Sequence, residues 1–410
     1  MTWCPNWIDS HHHHAWLWEE TRRLLEFGKS CAIAEQGAGW LDARGRLRAH
    51  LPAATWITCR MVHVYSLGHL LGIPGCRAIA QQVLSGLNGR LKDNKFGGWF
   101  NDATGDSTGG KQAYDHAFVV LASSSATAAG LEGGPELLAD ALQVFTSRFL
   151  DHDGLVVDSW NRDFTVATEY RGINSTMHTV EALLAAADVT GQIEWLERAT
   201  RLARFAAASA AAINWRMPEH FSPAWEFLPE YHTDRRDDQF RPYGATVGHG
   251  LEWSRLLLQT EAAVAAAGLD IAPGMDLTWE KAARSLYARA VTDGWDPEGL
   301  PGFVYTTDWE GQPITTDRLH WVVAEAIGAA AVLYKRTGEE RYAHDYATWW
   351  EFAETHLIDR TNGSWHHELD PKNQPAARVW PGKPDLYHAV QATLIPTQPL
   401  APCLASALAG

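Results

Sequence analysis

The chain has few cysteines, no run of basic residues and no apolar stretch long enough to span a bilayer. Each shortage excludes a class of function. Cys4, Cys31, Cys59, Cys76 and Cys403 are scattered without metal-ligand spacing, so free thiols in a reducing compartment are expected rather than a disulfide framework. Lysine and arginine number 34 against 49 aspartates and glutamates, a net charge of −15. Phosphate binding needs clustered cations, so nucleic acid is not expected as a partner. The apolar stretches at 117–130 and 322–334 fall short of the roughly 20 residues a membrane helix requires, and the second contains Glu325. Met1–Trp7 lacks the basic and apolar regions of a secretory leader. A soluble, cytoplasmic protein with no membrane partner is the expectation. Glycine-rich phosphate loops and a G-x-S-x-G elbow are missing too, which leaves nucleotide and serine-hydrolase chemistry without support.

What is present is repetition. A glycine followed by aromatic or aliphatic residues and closed by a polar one recurs at Gly39–Asp42, Gly98–Asn101, Gly154–Asp158, more loosely at Phe221–Tyr231, then at Gly302–Tyr305 and Gly363–His366. These six segments read as short extended or turn elements. Between them lie segments that begin polar, turn apolar on all sides and stop at glycine. They are Asp115–Gly130, Asn174–Gly191, His249–Gly268 and Asp317–Gly338, with Thr55–Gly72 and Asp385–Leu394 fitting the scheme less cleanly. Apolar residues at three- and four-residue spacing predict helices, and a helix apolar all round predicts burial. More charged segments alternate with them, such as Glu19–Gly28, Pro135–Leu150, Ile193–Ala208, Trp279–Ala290 and Arg341–His356, and read as outer amphipathic helices. Six buried and six amphipathic helices cannot form a flat layer without exposing the buried set. An all-α (α/α)6 barrel, a toroid of six helical hairpins forming one domain over residues 1–410, satisfies the pattern. His11–His14, ahead of the first amphipathic segment, reads as at most a chance metal binder.

In such a toroid the polar residues at the starts of the inner helices converge. They are Trp56 and Arg60; Tyr114, Asp115 and His116; Asn174 and His178; Arg241, His249 and Glu252; Trp321 and Glu325; and Asp385 and His388. Imidazoles, carboxylates, arginines and flat aromatic faces suit a polyhydroxylated ligand. Singly, each residue has a plainer explanation. Trp56–Arg60, Asn174–His178 and Trp321–Glu325 are i,i+4 pairs that stabilise helix faces, and Asp115 could cap a helix. Their shared place at six helix starts is what raises them above those explanations. His249 and Glu252 at i,i+3, completed by His178 or His388, could ligate a metal. With no HExxH and no cysteine cluster, neither metal nor other cofactor is expected.

Four segments carry a resemblance: Thr55–Met61 (TWITCRM), Lys111–Phe118 (KQAYDHAF), Asn174–Ala182 (NSTMHTVEA) and Arg241–Arg255 (RPYGATVGHGLEWSR). They resemble the N-acylglucosamine 2-epimerase superfamily over about Trp56–His388. Within it they are most similar to the aldose–ketose isomerase branch that acts on mannose and sulfoquinovose, chiefly in His249-Gly-Leu-Glu252-Trp-Ser-Arg255. Val247 departs from the proline that branch carries before the Gly-His pair. The resemblance implies an (α/α)6 barrel acting without metal on a monosaccharide, interconverting D-mannose and D-fructose and possibly D-lyxose, as a monomer or homodimer. It further implies that His388 is the base moving a proton between C2 and C1 and that His249 serves ring opening and the sugar oxygens. Glu252 would assist His249, and Arg60 would stabilise the oxyanion. Trp56, Tyr114, Asp115, Asn174, His178, Arg241 and Trp321 would bind and orient the sugar. Sulfoquinovose isomerase and sugar 2-epimerase are the nearest alternatives. A glycoside hydrolase of the same fold using Asp115 and Glu252, or a carbohydrate-binding toroid without activity, fits the histidine-rich constellation less well.

Overall fold

The computed structural model describes residues 6–105, 110–272, 274 and 277–410; Cys4 lies outside them. Thirteen α-helices occur among the described residues: α1 (His11–Gly28), α2 (Thr55–Leu70), α3 (Cys76–Asn88), α4 (Ala113–Ala128), α5 (Gly134–Arg148), α6 (Ile173–Thr190), α7 (Ile193–Ala212), α8 (Val247–Ala266), α9 (Trp279–Gly294), α10 (His320–Thr337), α11 (Glu340–Phe352), α12 (Tyr387–Leu394) and α13 (Leu404–Ala409). None of them is long and apolar enough to cross a membrane.

The predicted division into inner and outer helices holds. α2 is buried from Thr55 to Gly68, α4 from Ala113 to Ala126, α8 from Val247 to Thr260 and α10 from His320 to Leu333. Small hydroxyls tolerate this burial by donating to the carbonyl one turn back, as Ser124 does to Val120, Ser125 to Leu121 and Thr179 to Ser175. The outer helices bury one stripe only: in α3 Cys76, Ala80, Val83, Leu84 and Leu87, in α7 Trp195, Leu196, Ala199, Leu202, Ala203 and Ala206. α2, α4, α6, α8, α10 and α12 pack each against the next, and α12 returns to α2, closing a ring. α3, α5, α7, α9 and α11 each back the inner helix that precedes them, while α1 backs α12 and so joins the two ends of the chain. The (α/α)6 barrel is therefore closed by an outer helix from the N-terminus and an inner helix from the C-terminus.

The sequence pattern missed some details. α3 has Arg77 as its single charged residue, so it does not stand out as a charged segment although its apolar residues line one face. α10 starts at His320 rather than Asp317 because Arg318–Leu319 pairs antiparallel with Glu368–Leu369, and α12 starts at Tyr387 rather than Asp385. α13, beyond the six pairs, packs against α2, α4 and α6.

All six glycine-aromatic segments form antiparallel bridges: Leu41 with Leu47, Lys92 with Trp99, Leu150 with Val156, Phe221 with Phe227, Trp295 with Phe303, and Ile358 with Trp365. The residues just before α2, α4, α6, α8 and α10 then pair with the following segment, as Lys111–Gln112 does with Ser159–Trp160, Arg171–Gly172 with His220–Phe221 and Ala245–Thr246 with Thr306–Thr307. One consequence repeats five times. The first helical N–H of an inner helix, which has no intrahelical partner, donates across the repeat: Thr55 to Asn101 O, Ala113 to Asp158 O, Ile173 to Glu219 O, Val247 to Tyr305 O and His320 to His367 O. These bonds replace side-chain caps, which α2, α4, α6, α8 and α10 lack. They hold the helix starts in register around one opening of the barrel. Val247 uses its N–H here, a bond that proline at this position could not make.

Candidate active site

Nine of the residues singled out by repeat position meet in one deep cavity at that opening: Arg60 from α2, Tyr114 from α4, Asn174 and His178 from α6, His249 and Glu252 from α8, Trp321 from α10, Asp385 just before α12 and His388 from α12. Three others, Trp56, Asp115 and Arg241, line a broader outer mouth of about 900 Å³, which also reaches Tyr114 and Asn174. Phe240, from the segment between α7 and α8, lines both spaces and meets the rings of Trp56, Tyr114 and Trp380. His116 belongs to neither. Its Nε2 accepts the Trp99 N–H and its Nδ1 bonds the Gln112 carbonyl, so the helix start turns it into the wall.

The two principal histidines are built alike. His249 donates from Nδ1 to Glu219 Oε2 at 2.8 Å, and His388 donates from Nδ1 to Glu325 Oε1 at 2.9 Å. An ionised carboxylate only accepts, so each ring carries its hydrogen on Nδ1 and keeps a lone pair on Nε2. No described residue hydrogen-bonds Nε2 of either ring. Trp321 lies against both, with ring centroids 5.3 Å from His249 and 5.8 Å from His388. Gly248 makes that contact possible, since a Cβ there would stand 2.2 Å from the Trp321 ring.

Behind the cavity lies a buried charge network. Arg255 donates from Nε to Glu325 at 2.9 Å and approaches Glu252 at 3.4 Å and Glu181 at 3.9 Å. Three carboxylates share one guanidinium, so they do not all ionise freely. Burial, with the neighbouring Glu325 and Glu181 charges, pushes the Glu252 carboxyl well above its ordinary range against the pull of Arg255. Glu181 goes the other way. Burial opposes its ionisation but is outweighed by His178, Arg255 and the Tyr387 hydroxyl. Burial, then the charges of Arg60 and His320, holds His388 well below the usual histidine range. It is a neutral base near pH 7. On the other side, Arg60 donates to Asp385 at 3.1 Å and to the Tyr114 hydroxyl at 2.9 Å, with Trp56, Phe118 and Tyr387 rings about its guanidinium. Its charge is fixed in place before any substrate arrives.

Asp115 accepts from the Asn101 amide at 3.0 Å. Burial, with the charge of Asp102, raises its carboxyl to about 8. Arg241 is held by Asp158 at 2.8 Å and stacks over Tyr170. The metal question resolves differently from the spacing. Among the described residues, His178, Glu181 and Glu252 form a buried set whose ligand atoms lie within 4.8 Å of one another, and neither His249 nor His388 joins it. Arg255 already supplies positive charge to both carboxylates, and Glu181 also accepts from Tyr387 and Gln391, so the two acidic members are compensated within the protein. His11–His14 form the first turn of α1, with His13 on the Tyr346 hydroxyl and His14 on the Ile8 carbonyl.

Several site groups were not anticipated as such. Glu219, His320, Tyr305, His367 and Trp380 required the fold, although Tyr305 is the polar end of a glycine-aromatic segment and Asn101 and Asp158 are its equivalents in the mouth. Glu181 and Arg255 sit inside the segments that carry the resemblance. The spacing of buried charge along α6 and α8, at i,i+3 from His178 and Glu252, was the available signal.

The chain matches the family described as N-acylglucosamine 2-epimerase (GlcNAc 2-epimerase) over residues 37–392. The D-mannose isomerase of Thermobifida fusca is 49% identical over 410 residues, covering 98% of this chain and 98% of the relative. That of Pseudomonas cannabina pv. alisalensis is 47% identical over 408 residues, covering 99% and 97%. Among solved structures, a D-mannose isomerase superposes with a TM-score of 0.84 at 26% identity, covering 93% of this chain and 97% of the other.

Proposed function

The chain belongs to the N-acylglucosamine 2-epimerase family, and on that premise we propose that it is a sugar isomerase interconverting D-mannose and D-fructose. The observation that carries the chemistry is a pair of imidazoles, His249 and His388, each with Nδ1 on a carboxylate, in one cavity with Arg60. Aldose–ketose isomerisation removes the proton from C2, passes through a cis-enediolate and returns a proton at C1, while one hydrogen leaves O2 and one arrives at O1. His388 is the base for the carbon proton. Held neutral by its surroundings, it accepts the proton at Nε2 and returns it to the neighbouring carbon. Arg60 faces the enediolate with a charge already oriented by Asp385 and Tyr114, the kind of preorganisation that stabilises a developing oxyanion. His249 exchanges protons with the sugar oxygens during ring opening and across O1 and O2. Glu252, whose burial and neighbouring carboxylates favour the protonated form, can donate to the ring oxygen. Tyr114, Asn174, His178 and Trp321 orient the open chain, and Trp56, Asp115 and Arg241 meet the sugar at the mouth.

The reading is tested by incubating the protein with D-mannose, D-glucose, D-lyxose and sulfoquinovose and separating the products. Fructose from mannose is the expected result. Glucose as the sole product from mannose would make it a 2-epimerase, and turnover confined to sulfoquinovose would reassign the substrate. Dialysis against a strong chelator is expected to leave the rate unchanged, because Arg255 occupies the electrostatic place a cation would take.

A further inference from the structure

Of the five residues whose carbonyls tie the repeats together, three send their side chains to the start of the next inner helix, while the Tyr305 hydroxyl donates to the Gln239 carbonyl and the His367 ring stacks on His320. Asn101, whose carbonyl receives the first N–H of α2, sends its amide to Asp115 on α4. Asp158, which does the same for α4, reaches Ser175 on α6 at 3.1 Å. Glu219, the counterpart for α6, reaches His249 on α8. Each therefore positions the start of the next inner helix. Only at Glu219 is the group so reached an imidazole in the deep cavity.

We propose that Glu219 is the positioning residue of His249, holding its Nδ1–H so that Nε2 meets the sugar oxygens and stabilising the ring while it carries a proton. This rests on the isomerase reading above. Glu219 is buried, and its other oxygen accepts the Thr246 N–H at 3.2 Å. No lysine or arginine among the described residues is ion-paired with it. Its charge is therefore available to His249. Glu325 differs, because Arg255 at 2.9 Å already compensates it and His388 receives only what remains. Two histidines with the same tautomer are thus given different electrostatics, one suited to gaining and losing a proton at oxygen and one to abstraction from carbon. The groups facing the pair are Trp321 from α10, Glu252 one turn along α8, His178 from α6, and Tyr170, His220 and Tyr305 about Glu219.

The plainer alternative is that Glu219 only caps α8 through Thr246. Glu219→Gln keeps the side chain's shape and one accepting oxygen but loses the charge, and a role confined to capping α8 would then cost stability without moving the pH profile. On D-mannose, kcat of Glu219→Gln is expected to fall by about 10²-fold, in the range of a general acid–base contribution, with KM little changed. The limb on which activity is lost as the pH rises should move to lower pH. Glu219→Ala should fall further, and Glu219→Asp should recover part of the loss. Wild-type kcat and pH profile in Glu219→Gln would overturn the proposal. Should the variants fail to fold, 15N spectra of the wild-type histidines decide it: His249 must keep its hydrogen on Nδ1, and a ring protonated on Nε2 alone would overturn it. A wild-type protein inert toward mannose would instead sink the isomerase reading, and the spectra would still report on Glu219.

Discussion

His388 and His249 differ less in their own geometry than in what stands behind their carboxylates. Glu325 is shared with Arg255, whereas no lysine or arginine among the described residues pairs with Glu219. His388→Asn is expected to abolish isomerisation and the exchange of the C2 hydrogen with solvent deuterium, by at least the roughly 10²–10⁴-fold of a general base. His249→Asn should be severely impaired on the closed pyranose yet keep measurable exchange on a substrate that is largely open-chain. Exchange lost in His249→Asn but retained in His388→Asn would reverse the two roles. Because burial and Arg60 hold His388 well below the ordinary histidine value, it does not protonate as the pH falls through 6.5. Acidification should therefore reduce kcat/KM through His388 only well below that pH, as a pH–rate profile would show. Asp115 gives a stability prediction of its own. Its carboxyl is raised from 3.8 to about 8, so across that interval the folded chain holds a proton that the unfolded chain has released. Stability then falls as pH rises through the interval. Asp115→Asn should remove the dependence and raise the thermal midpoint at pH 9 relative to wild type; each tenfold change in proton affinity between the folded and unfolded chain is worth about 1.4 kcal/mol. Equal midpoints for the two proteins at pH 5 and pH 9 would contradict this.

At the scale of the elements, the inner helices expose their first turn to the cavity because cross-repeat carbonyls satisfy their first N–H groups. Side chains at those positions are released from capping and become available for chemistry. The starts of α8 and α10 are also locked together by close approach. With only hydrogen at Gly248, Trp321 lies against the turn that carries His249. Gly248→Ala would force the indole aside. The expected cost is about 1–3 kcal/mol of stability, as for other overpacked sites, with a fall of about 10- to 100-fold in kcat/KM for a displaced site. Calorimetry and steady-state kinetics on mannose check both, and an unaffected kcat/KM would mean that Trp321 has no part in orienting the sugar.

At the scale of the molecule, ring closure falls to α1. It is the outer partner of α12, which bears His388. Leu17, Leu24 and Leu25 of α1 are buried, and Glu20 accepts from the Trp365 indole at 3.1 Å. A chain lacking residues 1–28 should lose its cooperative thermal transition as well as its activity. A truncated chain that still melts cooperatively near the wild-type temperature would show that the ring closes without α1.

The alternation of buried and amphipathic helices was legible in the sequence because it is a local property. An all-round apolar segment ending in glycine differs from a striped one within its own 15 residues, as α4 and α7 illustrate. So were the positions of Arg60, His178, His249 and His388, each one turn from a polar-to-apolar boundary. The hydrogen-bonded partners of those groups were not legible. Glu219 lies 30 residues from His249, Glu325 lies 63 from His388, and Asp385 lies 325 from Arg60. No periodicity joins such positions; only the register of the closed ring does. The separation of Trp56, Asp115 and Arg241 into an outer mouth, and the pairing of the first helix with the last inner one, likewise depend on how six hairpins close. A carboxylate acts on an imidazole only across hydrogen-bond distance, and that distance is set by the tertiary fold.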